Sequence, residues 1–365
     1  MKIIFVSHLS DTPSAGPNWS VPARIHAQEK IDDVLWLNAT NAYMNHWSEA
    51  KSYMNAAEWT KKPRLKTLPE AFRKPDLVVF EGIYFIDNIK FAKDLIRNSI
   101  PYIINPRGSL TLNARRHYSR WKKLIAHKLF FDWFCNKALA IQYLTEIERR
   151  DSAHNWRSGQ FVIPNGFSTP EELKTKFSQD EIKAIFIGRP AIYHKGIDML
   201  FAAMSNLKDE LQANGFKLLF HSPIRDDRAA IEKMAEEKGI LSLIDFKGEI
   251  SGKEKKEAIL NSDLFVLTSR FEGHPMGLIE ALAYGLPALV TTGSNMREEI
   301  EQADAGWTAD STEEGIRSAL RKILKEKEKL QEKGMNARNL SLQYDWDRLA
   351  KIFHDIVSDL LKVSM

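Results

Sequence analysis

The sequence predicts an α/β protein of two domains, each built on buried parallel strands joined by helices. Three observations carry that expectation. Short apolar runs recur along the chain, stop at polar or glycine-bearing loops and lead into helix-forming stretches. A chain of 365 residues is long for one domain and suits two, each able to bury a core. Hydrophobic residues at 44% and charged ones at 27% are ordinary for a globular chain.

The pattern is clearest from Leu264 to Thr292, LFVLTSRFEGHPMGLIEALAYGLPALVTT. Leu264 to Leu267 reads as a buried strand, and Glu272, Gly273, His274, Pro275 and Gly277 form the loop after it. Leu278 to Tyr284 reads as a helix closed by the stop signals Gly285 and Pro287. Ala288 to Thr291 is the next strand. In an open parallel sheet, ligands sit beyond the carboxyl ends of the strands, where this loop lies. Glu272 falls in the loop and Glu280 in the helix, while Gly273 and Gly277 leave room for backbone to approach a ligand. The helix start offers unpaired N–H groups to an anion. The structural alternative makes Glu272 a helix-entry charge and Glu280 a solvated surface residue. Its apolar neighbours Leu278, Ile279, Ala281 and Leu282 weigh against that for Glu280.

The FEG-x-P and EA-x-A-x-G-x-P around Glu272 and Glu280 resemble the signature of the retaining family-4 glycosyltransferases, also called glycosyl transferases group 1. The resemblance implies the GT-B fold: two Rossmann-like domains facing each other across a cleft, with a C-terminal helix crossing back to the first. It implies an acceptor-binding domain at residues 1–168, a nucleotide-sugar-binding domain at 169–343 and the returning helix at 344–365. It covers residues 160 to 305 closely and the N-terminal domain in outline.

Composition sets limits. Lys plus Arg 52 against Asp plus Glu 48 gives +4, too near balance to imply nucleic acid. Cys135 is the single cysteine, so no intramolecular disulfide forms, and within LFFDWFCNKALA it reads as a small buried hydrophobe. The apolar start is too short for a signal peptide, and no run approaches the ~18 residues of a membrane span. A cytoplasmic protein is expected.

In order along the chain, Ile3 to Val6 reads as the first strand, followed by a turn-rich loop with Gly16 and a helix from Ala23 to Lys30 with Pro22 in its first turn. The family carries a glycine pair in that loop, whereas only Gly16 is present here. Gly16 and His8, at the strand end, are candidate acceptor contacts, with a hydrogen-bonded structural role the alternative for His8. Val34 to Leu37 is the second strand. Asn38 to Lys74 shows poor periodicity and scattered aromatics, as either an irregular acceptor-side region or a structural insertion. Asp76 to Phe80 and Tyr102 to Ile104 are strands. The second ends in Asn105-Pro106-Arg107-Gly108, which resembles the acceptor-side loop of polysaccharide-building members. Arg107 is therefore a candidate for an acceptor phosphate or saccharide, with a structural ion pair as the alternative.

Arg115 to Lys128 is the one dense basic run. Trp121, Leu124 and Ile125 interleave with its cations, as in a core helix with a solvated charged face or, as the alternative, a helix lying on an anionic membrane surface. Ala138 to Tyr143 is a strand, Thr145 caps the next helix, and Phe161 to Ile163 precedes the turn into the second domain.

That domain opens with the strand Ala184 to Ile187, ending in Gly188-Arg189, with Lys195-Gly196 beyond it and a helix over Ile197 to Met204. Alone, these charges read as an exposed loop. Beside the Glu272 to Glu280 stretch they match the family's diphosphate-clamping Arg and Lys in identity and order. Strands follow at Leu218 to His221 and from Ile244, then a helix over Lys253 to Asn261. Glu313 to Leu340 reads as helical, charge-laced and solvated, and Tyr344 onward as the last helix.

The resemblance implies transfer of a sugar from a nucleotide diphosphate, with a UDP-sugar expected, to a glycan or lipid-linked acceptor in surface polysaccharide assembly, the anomeric configuration being retained. It assigns Glu272, Arg189 and Lys195 to catalysis. Gly188, Gly273, His274, Pro275, Met276, Gly277, Leu278 and Glu280 take donor binding, Glu280 toward the ribose. No Asp-x-Asp stands beside a strand, so no catalytic metal and no cofactor beyond the donor are expected. Two other classes are weighed. A nicotinamide-dependent oxidoreductase lacks its Gly-x-Gly-x-x-Gly after the first strand. A non-catalytic partner that activates another transferase would be favoured by loss of Arg189, Lys195, Glu272 or Glu280, all of which are present.

Overall fold

The computed structural model describes residues 1–12, 16–111, 130–152, 156–178, 180–224 and 226–364. The chain divides into Met1–Ser168 with Trp346–Met365, and Thr169–Asp345.

The first unit holds β1 (Lys2–Ser7), β2 (Asp33–Asn38), β3 (Tyr53–Asn55), β4 (Leu77–Glu81), β5 (Tyr102–Asn105), β6 (Ala140–Tyr143) and β7 (Gly159–Val162). They form a parallel sheet in the order β3-β2-β1-β4-β5-β6-β7. Ile3, Ile4 and Phe5 of β1 and Leu77 to Phe80 of β4 are wholly buried. Both faces are covered, which is why these strands read as continuous apolar runs.

The second unit holds β8 (Ile182–Ile187), β9 (Phe216–His221), β10 (Ile244–Lys247), β11 (Leu264–Leu267), β12 (Ala288–Thr291) and β13 (Gly306–Ala309) in the parallel order β10-β9-β8-β11-β12-β13. This is the doubly wound order, with its switch point between β8 and β11. Strand β13 was not foreseen: it lies at the sheet edge, and its GWTA buries only alternate residues. Four residues are too few for that period to show in sequence.

Two expectations change and one open reading is decided. The helix after β1 runs Pro17–Gln28, beginning well before Ala23, with Pro17 in its first turn and Pro22 inside it. A proline at 22 cannot donate to the Asn18 carbonyl. That oxygen instead faces Trp47 Nε1, which donates to it at 3.0 Å, and His46 Nε2 at 2.9 Å. Of the two readings of the 38–74 stretch the structure favours the structural insertion: a few of its side chains are pinned into the core while the rest stay exposed or half-buried. Trp47 is wholly buried, Trp36 and Tyr53 pack edge-on with ring centroids 4.8 Å apart, and Leu65 and Leu68 are buried. Each such leucine contributes roughly 1.5–3 kcal/mol. Short 3₁₀ turns and the three-residue β3 give it no long period to read.

The charged tail is two helices, Glu313–Lys325 and Leu330–Ser341, and the first buries Ile316, Leu320 and Ile323. The last helix, Trp346–Ser364, belongs to the first unit, where Phe353 meets Phe5 and Phe161 and Asp347 pairs with Lys30 at 2.7 Å. Finally, the basic run Arg115 to Lys128 lies outside the described residues. Among those described, no helix is long and apolar enough to cross a membrane.

Candidate functional site

In the second unit, the loops after β8 and β11 are laced together. Gly188 and Arg189 follow β8, and the single-turn helix Ile192–Lys195 ends at Gly196 with φ 63°. A Cβ on Gly196 would stand 2.0 Å from the Thr268 carbonyl oxygen, so only glycine seats this turn on the end of β11. Thr268 Oγ1 donates to the Lys195 carbonyl at 3.1 Å, and the Arg270 N–H donates to the His194 carbonyl at 2.9 Å.

This lacing brings Lys195 Nζ to 2.6 Å from Glu272 Oε1, with both side chains mostly buried. Ser269 Oγ donates to the same oxygen at 2.5 Å. His194 Nε2 stands 4.0 Å from Glu272 Oε2, and its ring stacks on Phe271. Burial holds the His194 pKa below its ordinary value; Glu272 opposes, while Lys195 and Arg189 push the same way. Arg189 itself is exposed, and its guanidinium has no hydrogen bond or ion pair among the described residues. A Cβ on Gly188 would lie 3.6 Å from Lys195 Cε, which places Gly188 beside the lysine. Arg270 is occupied elsewhere, paired with Asp198 at 2.6 and 2.7 Å.

Beyond Glu272 the loop opens, since nothing lies within 4 Å of a Cβ on Gly273. His274 is buried with Nδ1 unpartnered, and burial pushes its pKa down to about 3, so the imidazole is neutral. Pro275 is the N-cap of the helix Met276–Ala283; its carbonyl accepts from Leu278 and Ile279, leaving the Met276 and Gly277 N–H groups without an intrahelical acceptor. At Gly277 a Cβ would touch the Phe265 ring at 3.5 Å, an ordinary contact. Leu278 is wholly buried and turned into the core. Glu280 is ion-paired with Lys255, which the helix Gly252–Leu260 supplies, rather than solvated.

The first unit carries a second polar cluster at the carboxyl ends of its strands. Asn38, Ser7, Glu81 and Asn105 lie in one register across four strands, with Gln142 next in line, and all are buried. One Glu81 oxygen takes Arg24 at 2.7 Å and the other takes Arg107 at 2.7 Å. Arg24 also donates to Gln142 at 2.6 Å, and burial pushes its pKa down to about 10. Arg107 sits at φ 49° and donates further to Ser20 and Asn165, while its Nη2 is buried without a partner. The structure thus makes Arg107 part of an ion-pair network. His8 lies 2.6 Å from Asp87 and stacks on Phe85 at 3.6 Å, with Nδ1 buried and unpartnered. Gly16 is the N-cap of the helix Pro17–Gln28, its carbonyl accepting from Trp19 and Ser20.

The structure therefore gathers Gly188, Lys195, Glu272 and the start of the helix at Met276 around two loops. Gly16, His8 and Arg107 belong to the other unit. Sequence reasoning placed the loop Gly293 to Met296, with Asn295, over the crevice without giving Asn295 a role, and it missed Ser269, His194 and Lys255. Asn295 donates to the Glu272 and Gly273 carbonyls from across the sheet end. Among the described residues no three His, Cys, Asp or Glu side chains cluster as metal ligands would.

The sequence pattern of the family "Glycosyl transferases group 1" matches residues 169–340. An uncharacterized glycosyltransferase of Methanocaldococcus jannaschii is 26% identical over 174 residues, 47% of this chain and 43% of that protein. TuaC of Bacillus subtilis, a putative teichuronic acid biosynthesis glycosyltransferase, is 25% identical over 245 residues, 62% of this chain and 56% of its own. The chain thus spans about half the length of the curated relatives it matches. Among solved structures, Anabaena HepE in complex with UDP and glucose superimposes with a TM-score of 0.74 over 98% of this chain and 99% of its own, at 14% identity. At that identity the likeness speaks for the fold alone, which is GT-B. Residues 169–340 thus carry the sequence pattern of the glycosyl transferases group 1.

Proposed function

We propose that the protein is a retaining, metal-independent glycosyltransferase that moves a sugar from a UDP-sugar to a glycan or lipid-linked saccharide during surface polysaccharide assembly. The Lys195–Glu272 pair is the observation that carries this reading: a cation and a carboxylate at a loop that opens at Gly273. TuaC, named for teichuronic acid biosynthesis, and HepE, solved with UDP and glucose, support the substrate classes.

In this reading the second unit binds the donor and the first the acceptor. The bond between the sugar and the diphosphate oxygen breaks as the acceptor hydroxyl forms the new glycosidic bond, and the departing phosphate takes the hydroxyl proton. Arg189 and Lys195 stabilise the charge growing on the diphosphate, aided by the N–H groups from Gly273 to Gly277. Glu272, released from Lys195 by the diphosphate, receives sugar hydroxyls. His274 contacts the sugar as a neutral imidazole, and Glu280 lies toward the ribose. Arg107, His8 and Gly16 contribute on the acceptor side.

The test is a thermal-shift and hydrolysis panel of UDP-, GDP- and dTDP-sugars against the purified protein, with and without EDTA. Selective stabilisation by UDP compounds, about 2.7 kcal/mol at a hundredfold over the dissociation constant and unchanged by EDTA, is expected. Glu272→Ala and Lys195→Ala lower turnover at least about a hundredfold with the fold intact. Silence toward every nucleotide would instead mark a non-catalytic partner of another transferase.

A further inference from the structure

We propose that Asn295 is a positioning residue for the donor's diphosphate, an inference that rests on reading the Gly188 to Glu280 loops as a nucleotide-sugar site. Asn295 follows the turn Thr292–Ser294 in the left-handed conformation, φ 58° and ψ 18°. Asparagine adopts that region more readily than other residues with a Cβ. From there Nδ2 donates to the carbonyls of both Glu272 and Gly273, the second at 3.2 Å. Two carbonyl oxygens accept only from the nitrogen end of the amide, so its orientation follows from its partners.

In a trans peptide the C=O and the next N–H lie in one plane and point in opposite directions within it. No peptide among the described residues is cis. Holding the Glu272 and Gly273 carbonyls toward Asn295 therefore turns the N–H groups of Gly273 and His274 away from it. Neither N–H has an acceptor among the described residues, and the space over Gly273 is open. Two successive amides left without acceptors, beside the open space at Gly273, can form a concavity for a negatively charged oxygen. Lys195, paired with Glu272 of the same loop, favours an anion there.

The support beneath Asn295 is firm. A Cβ on Gly293 would fall 2.3 Å from the Arg270 carbonyl carbon, and Thr291 Oγ1 donates to the Ser269 carbonyl at 2.7 Å. The loop carrying Asn295 thus seats directly on the strand end that launches Glu272.

Two variants of the full chain test this. Asn295→Gly keeps the left-handed backbone and removes the two hydrogen bonds. Asn295→Asp keeps the shape and sets a carboxylate against two carbonyls. Melting midpoint, UDP affinity, and kcat and KM for the nucleotide sugar the wild type hydrolyses fastest are measured on each, with Lys195→Ala alongside. Both variants are expected to fold and to bind UDP within a fewfold of wild type. Their kcat falls about a hundredfold, the aspartate more than the glycine, because the amides act on charge that grows as the bond breaks. Wild-type kcat in Asn295→Gly while Lys195→Ala is inactive overturns this inference and leaves the function standing. A lowered melting midpoint with parallel loss of UDP binding and turnover also overturns it, making the role structural. A wild type that binds and hydrolyses no nucleotide sugar removes both.

Discussion

Lys195 Nζ and Glu272 Oε1, 77 residues apart in the chain, stand 2.6 Å from each other. The pair joins the loop after β8 to the loop after β11, and each partner is mostly shielded from solvent. Removing either leaves the other without its counter-charge, so the two losses overlap. A double-mutant cycle with Lys195→Met and Glu272→Gln, followed by urea unfolding, is expected to give a coupling energy of about 0.5–3 kcal/mol. Simple additivity of the two variants contradicts the pairing.

Gly196 is the turn on which that pair depends. Gly196→Ala meets both a left-handed backbone, costing roughly 1–2 kcal/mol, and the Thr268 carbonyl at 2.0 Å. The variant should unfold at lower urea than wild type and lose nucleotide binding with it. Wild-type stability would mean that the turn relaxes freely.

Stability should fall in mild acid. His274 has its pKa pushed down to about 3 by burial, against an ordinary value of 6.5. The folded protein keeps it neutral, while the unfolded chain takes up a proton as pH drops through 6.5. Its contribution is present above that pH and is lost progressively toward pH 3, by at most about 1.4 kcal/mol per pH unit. Burial lowers His194 and His221 too, so they act in the same direction. Urea unfolding at pH 7 and pH 5 reads the effect, and His274→Phe should flatten the slope. An unchanged slope in that variant removes the assignment to His274.

Glu81 is the shared counter-charge for two buried guanidinium groups, Arg24 and Arg107. Glu81→Gln should destabilise the protein by about 3–5 kcal/mol, because both cations then lack a carboxylate. Adding Arg24→Met should recover part of the loss. If the single variant melts with wild type, the network is weaker than its geometry implies.

The loop from Leu264 to Thr292 was legible because everything that shapes it is local. An apolar run, a glycine-bearing break and a helix closed by Gly285 lie within one short window, and the structure keeps that order with β11, the helix Met276–Ala283 and β12. The helix start at Pro17 was not legible, because the internal Pro22 reads as a boundary. It is tolerated where Trp47 and His46 satisfy the carbonyl that Pro22 cannot reach. Asn38 to Lys74 left two readings open for a related reason: its aromatics are spaced for contacts with β2 and the helix Ile86–Arg97 rather than for any helical or strand period.

Local chemistry in the sequence thus determined the α/β class, most strands and the residue types at the strand ends. Which side chains meet was decided by tertiary structure. Glu272 with Lys195 joins two strand-end loops, Glu280 with Lys255 joins two helices, and Glu81 at the end of β4 meets Arg24 of the helix after β1 and Arg107 beyond β5. They follow from strand order, since β8 lies beside β11 and β1 beside β4. Periodicity records how a segment faces its own core, whereas neighbours in a parallel sheet are separated by whole crossovers. The partner of a buried charge is therefore written in the topology.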